Sequence, residues 1–166
     1  MKTLVLGMGN PILCDDGVGI RLARDMREKV GDLAGLDYVV DCSVGGLNLL
    51  DLVTGYDRLI VFDSIRGGGG PPGCWYQMTG ASYRETMNLT NVHDASFTIA
   101  LELGRRMGNH LPGPEDVHIF AVEIVDNSTF SESMTAELEA AYPVISPDIL
   151  REALALLHLP ASHPEV

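Results

Sequence analysis

The chain has 166 residues, 46% of them apolar and 20% charged, which suits one globular domain with a core and argues against a disordered chain. Its 11 basic residues face 23 acidic ones, giving a net charge of −12, so neither nucleic acid nor an anionic membrane surface is expected as a partner. The longest aliphatic or aromatic runs, such as Leu59-Ile60-Val61-Phe62, are too short to span a bilayer. Lys2 precedes an apolar stretch, but glycines interrupt it and Asp15-Asp16 follow, so no secretion signal is expected. The three cysteines, Cys14, Cys42 and Cys74, form no Cys-x-x-Cys pair. That pattern favours reduced thiols in a cytoplasmic protein over a disulfide framework or a structural zinc site.

Thr3-Leu4-Val5-Leu6, closed by Gly7, reads as a buried strand of a parallel sheet. From Val18 to Val30 the period changes. Val18, Leu22 and Met26 recur every four residues and charged residues fill the other face, as in an amphipathic helix. Tyr38-Val39-Val40 is a second strand, and a short helix follows near Leu47–Val53. Leu59–Phe62 is the third strand and Cys74–Met78 another. Between them, Gly67-Gly68-Gly69-Gly70-Pro71-Pro72-Gly73 reads as a mobile loop. Ser96–Met107 is helical, Val117–Ile124 is a late strand and Thr135–Ala141 is a helix. Ser146 then caps a last helix with Pro147 at its first position. Pro160–Val166 reads as a frayed end, which gives one domain over 1–158 and a flexible tail over 159–166.

Strands alternating with helices imply an α/β fold: a single-domain three-layer sandwich, with a twisted, mostly parallel sheet of about five strands and helices on both faces. In such sheets function gathers at the carboxyl ends of the strands. Gly7, Gly9-Asn10-Pro11 and Asp15-Asp16-Gly17 follow the first strand, Asp41 the second and Asp63 the third. The loop Thr90-Asn91-Val92-His93-Asp94 precedes the Ser96 helix. Separate strand ends thus deliver carboxylates toward one edge, and a loop adds an imidazole.

A dinucleotide site fits poorly. Gly7-Met8-Gly9 begins the glycine pattern, but Ile12 stands at its third position. Asp41 lies 34 residues beyond Gly7, where about 20 are expected. Two aspartates at the helix mouth would also repel a pyrophosphate. No Gly-x-Ser-x-Gly, His-Glu-x-x-His or phosphate-loop lysine pattern is present. Cys14 adjoins the acidic pair, which should raise its pKa and blunt it as a nucleophile. Carboxylates with one imidazole suit a divalent ion such as nickel, manganese or zinc. Plain structural roles compete at each position: charge at a helix N-terminus for Asp16, a cap for Asp63, a turn for Asp41 and an exposed loop residue for His93. His110, His118, His158 and His163 have no comparable setting.

Gly7-Met8-Gly9-Asn10, Leu13 and Asp15-Asp16-Gly17-Val18-Gly19, followed by Asp41, Leu59–Asp63 and His93-Asp94, resemble the nickel–iron hydrogenase maturation endopeptidases. The resemblance runs from Lys2 to the final helix. It implies an aspartyl-type peptide-bond hydrolase that removes a C-terminal extension from the large-subunit precursor of a nickel–iron hydrogenase after nickel insertion. The family's metal-contacting positions fall on Asp16, Asp63 and His93. Its second-strand acidic position is Asp41, paired with Asp16 as the catalytic carboxylates, and Gly45-Gly46 is the implied substrate-binding segment. The nickel is expected to arrive with the precursor. Three departures stand out: some relatives carry Glu at the position of Asp16, Cys42-Ser43-Val44 intervenes before Gly45-Gly46, and the Gly67–Gly73 loop is unusually rich in glycine and proline. Bond cleavage has two open routes, either metal assistance or a general base among Asp15, Asp16 and Asp41. A non-catalytic, metal-sensing chaperone of the immature large subunit is the alternative function.

Overall fold

The computed structural model describes residues 1–82 and 92–158, with the backbone alone at 92–96. Its strands are β1 (Thr3–Met8), β2 (Leu36–Cys42), β3 (Arg58–Ile65), β4 (Trp75–Thr79) and β5 (Val117–Glu123). Its helices are α1 (Val18–Val30), α2 (Leu50–Val53), α3 (Val92–Arg106) and α4 (Ala136–Leu156). A 3₁₀ turn at Cys14–Gly17 leads into α1, and another at Gly46–Leu49 leads into α2. The strand order is β2-β1-β3-β5-β4. The β1–β2, β1–β3 and β3–β5 pairs are parallel, and β4 runs antiparallel to β5. The expected three-layer α/β sandwich with a mostly parallel five-stranded sheet is therefore the fold.

Strict alternation along the strands divides the core in two. Val5, Ile60, Phe62, Phe120 and Val122 pack with α1 and α4. Leu4, Leu6, Leu59, Val61, Val117 and Ile119 pack with α2 and α3 through Leu50, Val53, Phe97 and Leu101. Among the described residues no helix is long and apolar enough to cross a membrane.

Three local expectations change. The second and third strands extend past their apolar runs because ladder pairing continues to Met8↔Cys42 and Ile65↔Glu123. Asp41 and Asp63 therefore lie inside strands rather than after them. The helix expected from Ser96 begins at Val92, which puts position 93 in its first turn instead of in a preceding loop. The two expected C-terminal helices are one, Ala136–Leu156, with Pro143 and Pro147 inside it and Ser146 buried mid-helix. Both prolines are exposed, and the carbonyls they deprive of a donor belong to Glu139 and Pro143, themselves exposed residues that water can serve. Leu138, Tyr142, Ile149, Leu150, Ala153 and Leu156 keep one continuous buried face that outweighs the lost bonds. The tail expected over 159–166 lies outside the described residues.

Glycine sets how closely α1 approaches the sheet. A Cβ on Gly19 would lie 2.4 Å from the Phe62 carbonyl oxygen and 2.6 Å from that of Met8. Gly19→Ala is accordingly expected to lower stability by about 2 kcal/mol, read from the urea midpoint, because backbone on both sides must move. Gly45→Ala, where a Cβ would meet nothing within 4 Å, is expected to stay within about 0.5 kcal/mol of the parent.

Candidate active site

The turn between β1 and α1 carries the two aspartates in opposite directions. Asp15 is fully buried. Its Oδ2 accepts hydrogen bonds from the Val125 and Asp126 amides at 3.0 and 3.1 Å and from the Thr135 hydroxyl at 3.0 Å. Its Oδ1 accepts the Thr135 amide at 2.7 Å, just ahead of α4. Every strong acceptor direction is thus taken by the segment that follows β5. This makes Asp15 a tether and removes it as a proton acceptor for substrate.

Asp16 turns toward the carboxyl edge of the sheet and is partly exposed. The Ser64 hydroxyl donates to its Oδ1 at 2.7 Å, and the Asn10 amide donates to its Oδ2 at 2.8 Å. Gly9 makes this turn possible: its φ is +137°, and a Cβ there would come within 2.0 Å of the Asp16 carbonyl oxygen. Asp63, on β3, accepts the Ser64 amide at 2.8 Å through Oδ1. Asp16 arrives from the α1 face and Asp63 from the face shared by Leu59 and Val61. Ser64 joins them by touching both.

Position 93 belongs to the same edge by topology. At the far end of α3 the chain returns to the amino ends of the strands, where the His110 carbonyl accepts the Gly55 amide at 2.8 Å, just before β3. A 15-residue helix spans about 22 Å, so its first turn reaches the carboxyl edge. Phe97, one turn after position 93, packs in the core layer that holds Val61. The His93 side chain itself, with Asp94, lies outside the described residues. Among the described residues no three His, Cys, Asp or Glu side chains gather closely enough to hold a metal ion. Of the expected trio, Asp16 and Asp63 each contact Ser64, Asp16 at the serine hydroxyl and Asp63 at the serine amide.

Asp41 stands apart. It is exposed near the end of β2, two strands or about 10 Å across the sheet from Asp63, with the Arg24 guanidinium 3.9 Å away. Gly45 is extended and exposed, and Gly46 has φ +61°. Both have open space where a side chain would be. Burial, and then the adjacent Asp15 carboxylate, raise the Cys14 thiol above its ordinary range, which suits a quiet side chain rather than a nucleophile. Cys42 is likewise raised, first by burial, and Asp63 is among the charges acting on it.

Residues 20–152 match the family model described as hydrogenase maturation protease. The chain belongs to the hydrogenase maturation protease family. Asp63 and His93 fall inside that match, and Asp16 lies just ahead of it. A curated relative, hydrogenase expression/formation protein HupD of Rhizobium leguminosarum bv. viciae, is 29% identical over 147 residues, covering 86% of this chain and 69% of that protein. HupD of Thiocapsa roseopersicina is 25% identical over 140 residues, covering 83% of this chain and 61% of that protein. Among solved structures, the hydrogenase maturating endopeptidase HybD from E. coli superposes with a TM-score of 0.75 at 23% identity, covering 95% of this chain and 92% of that one. The [NiFe] hydrogenase maturation protease HybD from Thermococcus kodakarensis gives 0.68 at 20% identity, covering 94% and 99%. These structures share the fold, and family membership makes the chain a peptide-bond hydrolase.

Sequence reasoning missed Ser64 and the tethering role of Asp15. The only signal for Ser64 was its place beside Asp63 at a strand end. Asp15 looked like a second site acid because the donors that consume it lie 110 to 120 residues away. Asp15→Ala is expected to cost about 3 kcal/mol or more in chemical denaturation, since it strands buried amides, whereas Asp16→Asn should leave the denaturation midpoint nearly unchanged.

Proposed function

We propose that this protein removes the C-terminal extension from a nickel-loaded large-subunit precursor of a nickel–iron hydrogenase, and that the precursor's own nickel is the recognition handle. The observation that carries the reading is the pair Asp16 and Asp63, delivered by different elements and joined through Ser64. With His93 they form the ligand set assigned to the incoming ion. Two carboxylates and an imidazole suit a borderline divalent cation. The net charge of −12 would also attract a cationic centre.

Metal-dependent recognition is specificity expressed as a difference of affinities. A precursor without nickel offers nothing for these side chains to hold and binds poorly. A nickel-loaded precursor gains those bonds and places its C-terminal segment along the carboxyl edge. The exposed, extended Gly45 and its neighbour Gly46 leave room for that segment to pass close to the backbone. Nickel in the precursor supplies Lewis acidity for the scissile carbonyl. Asp16, with its carboxylate oriented by Ser64 and Asn10, is the first choice to accept a proton from the attacking water. Asp41 is the second, at the outer side of the same edge.

Mass spectrometry of purified precursor tests this directly. The parent protein should release a short C-terminal peptide from nickel-loaded precursor and leave nickel-free precursor whole. Asp16→Asn and His93→Ala should slow trimming by about a hundredfold or more with unchanged circular dichroism, and Asp41→Asn should slow it less. Normal trimming by both Asp16→Asn and His93→Ala would remove this ligand set from the mechanism. A parent protein that binds loaded precursor without ever shortening it would leave a holding role in place of a cutting one.

A further inference from the structure

The glycine-rich run after β3, read from sequence as a mobile loop, is fastened to the sheet. Its anchor is Glu123, the last residue of β5, which is 5% exposed. Its carboxylate accepts the Gly67 amide at 2.7 Å through Oε1 and the Gly68 amide at 2.9 Å through Oε2. The Tyr76 hydroxyl donates to Oε2 at 3.3 Å and accepts the Gly70 amide at 2.9 Å. Burial, and then Cys74 and Glu123, push the Tyr76 phenol up, so it keeps the proton it donates. The backbone of Glu123 holds the other end of the loop: its carbonyl accepts the Gly73 amide at 2.8 Å and its amide donates to the Cys74 carbonyl at 2.7 Å.

The glycines are what this wrapping requires. A Cβ on Gly68 would lie 2.5 Å from Glu123 Oε2, and one on Gly70 would lie 2.6 Å from the Tyr76 hydroxyl. Burying a carboxylate costs desolvation, which the convergent backbone amides offset here. The loop begins three residues after Ser64, the residue that joins Asp16 to Asp63. Gly67, Gly68 and Gly69 are exposed, so the loop presents bare backbone to whatever lies at that edge. With the Gly67, Gly68 and Gly70 amides turned inward to Glu123 and Tyr76, the exposed strip offers its carbonyl groups, which suit the backbone amides of an extended peptide.

We propose that Glu123 is a positioning residue for the peptide substrate: by clasping Gly67 and Gly68 it fixes the loop as a backbone wall beside Ser64 and Asp63, and the extended C-terminal segment of the precursor lies against that wall. This inference rests on the protease reading above. Glu123 touches no reacting atom, and its effect passes through the loop.

The test combines trimming kinetics on nickel-loaded precursor with hydrogen–deuterium exchange of the free protein. Glu123→Gln weakens the clasp from the sheet side with little change of shape. Gly68→Ala disturbs it from the loop side and leaves Glu123 intact. Both variants should exchange the Gly67 and Gly68 amides about tenfold faster or more while protection in β1 and β3 is unchanged. Both should raise KM about tenfold with kcat within about twofold, the pattern of lost uniform binding. Faster loop exchange with an unmoved KM would show that substrate does not use the wall. Unchanged loop exchange would show that Glu123 does not hold it. A general loss of protection, with kcat falling in step, would reduce Glu123 to a structural role. Parent protein that leaves loaded precursor whole would overturn the protease reading and this inference together, whereas parent trimming with unmoved variants overturns this inference alone.

Discussion

Four donors converge on the buried carboxylate of Asp15, and the position of Asp16 follows from them. The β1–α1 connection, residues 9–17, is also tied through its backbone to Asp126 and Ser131. Asp15 bolts it to the segment after β5 and to the start of α4. The close approach of α1 to the sheet, permitted by Gly19, fixes the other side of the turn. Between these two constraints Asp16 has little freedom, and it meets Ser64 across the end of β3. The site is thus assembled by packing that lies behind it, and a buried, satisfied charge is the pin.

The two neighbouring aspartates show what burial does to identical side chains. Asp15 spends its charge on amides it never releases. Asp16 accepts two hydrogen bonds and, among the described residues, takes part in no salt bridge. Asp16 is thus held in a fixed direction by Ser64 and Asn10, with no counter-charge among the described residues. In the proposed reading that carboxylate is kept for an incoming cation. Asp41, by contrast, already has the Arg24 guanidinium nearby, at 3.9 Å, which lessens its pull on an incoming ion.

Periodicity carried most of the fold. The amphipathic pattern gave α1 its observed bounds of Val18–Val30, and the apolar run at Leu59–Phe62 placed the strand that delivers Asp63. The errors share one physical origin, which is that local signals were overruled by distant partners. Pro143 and Pro147 read as a helix break, but the buried stripe from Leu138 to Leu156 held the helix together. Four successive glycines read as slack, but they are bare so that the chain can wrap a carboxylate 55 residues away in sequence. Asp15 read as a candidate base because it adjoins Asp16. The place of the acids near the strand ends was legible, whereas the hydrogen bonds that bury Asp15 and orient Asp16 were not.

The same reasoning assigns parts to the carboxyl edge. α1 and its turn contribute Asp16, β3 contributes Asp63 and Ser64, and α3 brings position 93 to the edge from the opposite face. The segment after β2 opens one flank with Gly45-Gly46, and the clasped glycine loop after β3 closes another. An ion held at the centre and a peptide laid along the flanks make different demands. The first needs charge held in fixed directions, and the second needs backbone without obstruction. In the proposed reading the aspartates answer the first demand and the glycines the second. In that reading both depend on buried carboxylates, Asp15 and Glu123, that sit one layer back and hold the β1–α1 turn and the glycine loop in place.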